Sequence, residues 1–152
     1  MGHVFRLTRL VKNDSGMVAP FFGMLIVPIV LLIGIAVDYS RAMRIQDRLQ
    51  ISVDAAIVAA MGPNTLPGER IQKAQDMFLM NFYKGADAEQ RAAIDSATFV
   101  KGLTVSFVPN EDGTKIVAKV DGKVKTFFGG IAGINAISTE GRAVVEAEQG
   151  TG

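Results

Sequence analysis

The chain has 152 residues, a formal charge of +1, no cysteine, and a single histidine, His3. That balance leaves no basic surplus to neutralise phosphates, which argues against a nucleic-acid partner. The missing thiols exclude disulfides and thiolate chemistry, and one histidine near the N-terminus leaves little with which to build a zinc site or a histidine base.

Residues 1–16 carry Arg6, Arg9 and Lys12 and read as a short cytoplasmic segment. Residues 17–37, "MVAPFFGMLIVPIVLLIGIAV", contain no charge, and 17 of the 21 positions are apolar. A hydrocarbon core of ~30 Å takes about 20 apolar residues in a helix, so this length predicts a transmembrane helix. The core of a secretion signal is shorter, about 7–15 residues, and precedes a small-x-small cut; here Asp38–Tyr39–Ser40–Arg41 follows instead, which favours retention. A buried core helix is the alternative reading. Pro20 falls in the first turn, Pro28 is expected to bend the middle, and Gly23 and Gly34 offer close approach to a neighbouring helix. Three basic residues stand on each flank, so the positive-inside rule does not orient the segment. The short stretch before it and the long one after it predict a cytoplasmic N-terminus and a head on the far side of the membrane.

Residues 38–61 contain neither proline nor glycine. Tyr39, Ala42, Ile45, Leu49, Val53, Ala56 and Ala60 recur at spacings of three and four, the stripe of an amphipathic helix that stops at Gly62–Pro63. Nothing separates this stripe from the apolar run. One helix from Met17 to about Met61 is expected, ~67 Å long, half of it projecting from the bilayer as a stalk. A hinge at Val37–Asp38 would instead divide it. Asp38 and Arg41, at i and i+3, suit either a helix ion pair or a partner contact.

Residues 62–152 form the predicted extracytoplasmic head. "TLPGERIQKAQDMFLMNFYKG" reads as a helix capped by Asn64 or Thr65 and stopped by Gly85, with Ile71, Ala74, Phe78 and Phe82 on one face. "ADAEQRAAIDSA" reads as a loop with a helical turn. Strands are predicted at Thr98–Val108, at Lys115–Asp121 and at Ile137–Glu148, with turns at Pro109–Gly113 and Asp121–Gly122. Glu111, Asp112 and Asp121 lack the spacing of a calcium loop and read as turn residues. Lys119, Lys123 and Lys125 read as the solvent face of a hairpin. "KVKTFFGGIAGI" begins as a strand and loosens at its glycines; its Phe127 and Phe128 either contact a partner or plug the end of the core. The fold class is α+β: one helix on an antiparallel sheet of three or four strands, a small head carried on the long N-terminal helix.

The stretch "GIAVDYSRAMRIQDRLQISVDAAIVAAM" resembles the N-terminal signature of the TadE/TadG group of Tad (Flp) pilus assembly proteins. The resemblance rests on Ala36, Val37, Asp38, Tyr39, Arg41, Leu49, Gln50, Val53, Asp54, Ala55, Ala56, Ala59 and Ala60. Upstream, Gly16, Ala19, Phe22 and Pro28 fit the same group. Prepilins of such systems are cut after a glycine with a glutamate five residues on. Gly16–Met17 is the candidate processing site, but Phe21 holds the glutamate position, as is typical of the TadG branch. The resemblance implies a non-enzymatic pilus assembly or anchoring factor acting in adhesion and biofilm formation. Its partners would be membrane lipid and other pilus-system membrane proteins or pilins, with no cofactor, metal or small-molecule substrate. Asp38, Tyr39, Arg41, Leu49, Asp54, Phe127 and Phe128 are the candidate partner contacts. A minor pilin cleaved at Gly16 is the alternative, and a membrane-tethered binding module unrelated to pili is a third.

Overall fold

The computed structural model describes residues 18–111 and 115–146. Helix α1 runs unbroken through Val18–Ala60, 43 residues, with Pro28 inside it. A 3₁₀ turn at Pro67–Glu69 leads into α2 (Arg70–Tyr83), and α3 (Ala88–Thr98) follows. Strands β1 (Thr104–Pro109), β2 (Lys115–Lys125) and β3 (Ala136–Glu146) form one antiparallel sheet in the order β1-β2-β3. A second 3₁₀ turn, Gly129–Ala132, lies between β2 and β3. This is an α+β layout led by a long apolar helix, as the sequence predicts.

The two halves of α1 face different surroundings. From Val18 to Val37 its large apolar side chains are almost all exposed; Phe21, Met24 and Ile33 are 70%, 78% and 60% accessible. From Asp38 onward one face is covered: Ala42, Leu49, Val53, Ala56, Ile57 and Ala60 are buried. α2 and β3 pack against it. The expected free stalk is therefore the spine of the head, and the predicted stripe is its buried face. Tyr39 is the exception, exposed while Asp38 beside it is buried.

Aromatic side chains join α2 to the sheet. Ala74, Phe78 and Phe82 turn inward as predicted, and Ile71 packs partly against them. Phe78 stacks on Phe82 at 5.5 Å between centroids and meets Phe107 of β1 edge-on at 6.2 Å. Burying each such ring contributes roughly 1.5–3 kcal/mol. Arg48 of α1 lies 5.3 Å over the Phe82 ring and donates to the Phe82 carbonyl, tying α1 to α2.

Several local expectations are corrected. Neither Asn64 nor Thr65 caps a helix: the 3₁₀ turn begins after Leu66 without a side-chain cap, and buried Thr65 accepts a hydrogen bond from Lys73 Nζ. Residues read as a loop form α3, started by a capping box in which the Asp87 carboxylate accepts from Gln90 N–H and the Gln90 side chain accepts from Asp87 N–H. Residues 98–103 are not strand, because α3 consumes Thr98 and Gly102 adopts φ +82°. Phe99 keeps one isolated bridge to Val124 and is buried. Asp121–Gly122 is no turn; β2 passes straight through it. Ile116, Ala118, Val120, Gly122 and Val124 alternate inward along one 11-residue strand. The glycine serves close packing: a Cβ there would lie 3.0 Å from Leu103 Cδ1 and 3.3 Å from the Phe99 ring. Lys119 and Lys123 face solvent as predicted, whereas Lys125 is half-buried and donates to the Ser96 carbonyl. The predicted turn at Pro109–Gly113 lies partly outside the described residues.

Candidate functional site at the base of the head

The segment between β2 and β3 folds back onto α1 just where the uncharged run ends. Asp38, 4% exposed, projects from α1 into it. Its carboxylate accepts three successive backbone N–H groups: Phe127 N–H to both oxygens at 3.0 Å, and Phe128 and Gly129 N–H to Oδ2 at 2.8 Å each. Successive amides of this kind form an anion-binding concavity, here filled by the protein's own carboxylate.

Local structure holds that concavity open. Ile134 N–H donates to the Gly129 carbonyl at 2.8 Å, Ile131 N–H to Phe128 at 3.1 Å, and Gly133 N–H to Gly130 at 3.2 Å. Gly133 takes φ +82°, which favours glycine. Gly129 is buried, and a Cβ there would meet the Ile134 carbonyl oxygen at 2.7 Å. The Thr126 hydroxyl donates to the same carbonyl. One turn before Asp38, Gly34 makes room for Phe128: a Cβ would lie 2.6 Å from the Phe128 Cβ and Cγ. The close approach expected of Gly34 is thus made within the chain, while Gly23 has nothing near it.

Burial alone would raise the Asp38 pKa, but the Gly129, Phe127 and Phe128 amides together outweigh it, and the Arg41 charge adds to them. The net effect holds the carboxyl below its ordinary value of 3.8. Arg41 does not close a simple ion pair; its guanidinium lies 4.6 Å over the Phe127 ring.

Of the candidate contact residues, the structure brings together Asp38, Arg41, Phe127 and Phe128. Tyr39, next to Asp38 on α1, is 58% exposed and turned away from this contact. Leu49 is buried in the head core, so its visible role is packing within the chain. Asp54 is half-buried further along α1. Gly16 and Met17 lie outside the described residues. The sequence suggests close approach at Gly34 and a contact loop around Phe127–Ile131, but does not join Gly34 and Gly129 in one site. Glycines in an apolar helix and in a loose loop give no sign that they approach each other across nearly a hundred residues.

A second polar tie lies away from this site. Tyr83 O–H donates to Asp95 Oδ1 at 2.8 Å and fastens α2 to α3. Burial and then that carboxylate push the phenol pKa upward. Among the described residues, no three His, Cys, Asp or Glu side chains converge in a way that could hold a metal ion.

Residues 16–74 match the family model of putative Flp pilus-assembly TadE/G-like proteins. The match takes in all of α1 and the start of α2, so this part of the chain is similar to TadE/G-like proteins, in agreement with the resemblance read from the sequence. The Phe127–Gly129 amides that receive Asp38 lie outside it. No curated protein and no solved structure matched the chain.

Proposed function

We propose that the chain is a non-enzymatic, single-pass component of a Tad/Flp-type pilus system. It would sit in the bacterial inner membrane with its N-terminus cytoplasmic and its head periplasmic, acting in pilus assembly or anchoring and through that in adhesion and biofilm formation. The observation that carries this reading is the form of α1: one helix, bare and apolar along its first half, and the buried spine of an α+β head along its second. That helix lies wholly within the residues that match the pilus-assembly family. Its uncharged half is long and apolar enough to cross a membrane. The work of such a molecule is association: lipid around the first half, other membrane proteins of the pilus system against helix or head.

A retained anchor is favoured over a fibre subunit because Phe21 is five residues after Gly16. Its side chain is 70% exposed on the apolar half and offers no carboxylate for a neighbouring pilin. Intact-mass measurement of protein purified from native membranes is expected to retain the residues before Met17. A mass beginning at Met17 would overturn the anchor and favour a cleaved minor pilin, which the same helix-and-head architecture would also suit.

A further inference from the structure

Between Lys125 and Glu140 the chain carries no charge, and its tip exposes Phe127, Phe128, Ile131 and Ile134 at 65%, 44%, 72% and 46%. The depth of this loop is set by α1. Phe128 packs on Gly34, one turn inside the uncharged run that ends at Val37, and the amides of residues 127–129 close on Asp38 at its border. A loop clamped at those two levels lies beside the end of the apolar helix, not above it.

We propose that the Phe127–Ile134 loop is immersed in the bilayer, in the leaflet from which α1 emerges, and gives the head a second lipid contact. This rests on the reading that α1 spans the membrane. Two further features suit lipid as the occupant. Backbone N–H groups are costly in an apolar medium unless paired, and those of Phe127, Phe128, Gly129, Ile131, Gly133 and Ile134 are all paired within the chain. Arg41 lies seven residues beyond Gly34, about 10 Å along the helix, where lipid phosphates border the hydrocarbon. Its guanidinium covers the Phe127 ring there. The consequence is mechanical. Held by a helix and a loop, the head sits against the membrane in one fixed orientation and does not swing on a free stalk.

The chain has no tryptophan, so single-tryptophan variants report without background. I131W, F127W, M80W on exposed α2 and M24W in the apolar half of α1 are each reconstituted as the full chain. The vesicles are phosphatidylcholine and phosphatidylglycerol, with lipids brominated either near the headgroup end or near the methyl end of the acyl chains. The I131W and F127W indoles should emit at shorter wavelength than that of M80W. They should also be quenched at least twofold more by the shallow bromines, with M24W quenched by the deep ones. Unquenched I131W and F127W beside a quenched M24W would overturn the immersed loop, leave the membrane span standing, and hand the loop to a protein partner. Loss of quenching at M24W as well would overturn both.

Discussion

A single carboxylate joins the sequence-distant halves of this molecule. Asp38 could have formed an ion pair along its own helix, worth about 0.3 kcal/mol. It takes three backbone amides instead, because a buried carboxylate needs several donors and Phe127–Gly129, leading into the turn at Gly129–Ala132, present them in a row. Replacing Asp38 by Ala strands those amides, and leaving a buried donor unmade costs about 1–3 kcal/mol. D38A should therefore lower the melting temperature of the head in detergent micelles clearly more than S40A, two residues away at an exposed position. Because the folded carboxyl is held below its ordinary value, its contribution is fully present above the ordinary carboxyl pKa. The contribution is lost as pH falls through the depressed folded value. Melting temperature against pH should show this acid-side decline in the wild type and a shallower one in D38N. Parallel pH profiles for the two would remove Asp38 from the account. G34L belongs to the same scale: its side chain must displace Phe128, and the resulting overpacking should cost about 1–3 kcal/mol.

Elements are tied to one another by apolar packing and by a few polar clamps. α2 has no side-chain N-cap and depends on Phe78 and Phe82 for its place. F78A removes a ring that touches both Phe82 and Phe107, and large-to-small changes of this kind cost about 3–5 kcal/mol. Loss of near-ultraviolet circular dichroism at a lower urea concentration than in wild type would register it. β2 can run straight through Gly122 because Phe99 and Leu103 occupy the space a side chain would need. G122V should accordingly destabilise the head, whereas G68V, where nothing stands within 4 Å, should not. Equal melting temperatures for these two variants would refute that reading of β2.

For the whole molecule, the second half of α1 being head and not stalk changes what a break in the helix does. A Pro-Gly insertion after Arg48 would cut the spine between Leu49 and the Arg48–Phe82 clamp. It should unfold the head while the apolar half still inserts, readable as protease sensitivity of a membrane-retained chain. A protease-resistant head in that variant would show that the spine tolerates a hinge. Orientation is tested independently, since the chain has no native cysteine. A membrane-impermeant thiol reagent applied outside the inner membrane should label K119C and spare S15C. The reverse pattern would place the head in the cytoplasm.

Local order along the chain was legible wherever a pattern repeats. The uncharged run is legible by its length, and the stripe from Tyr39 to Ala60, the Phe78–Phe82 face and the inward alternation of β2 by their period; each appears in the fold, except that Tyr39 faces outward. The TadE/G-like signature was legible for the same reason, as spaced residues on one helix. The misreadings came where a cue was read without its partner, whether near or far in sequence. Gly122 looks like a turn residue until Phe99 and Leu103 fill the space beside it, and Asp87 looks like a loop residue until Gln90 answers its carboxylate. The Asp38 latch belongs wholly to the tertiary structure. A carboxylate bound by backbone amides leaves no side-chain partner to read, since any residue type other than proline supplies an N–H. Which three amides meet it depends on a loop some ninety residues away returning to the one level of α1 where Gly34 lets Phe128 approach.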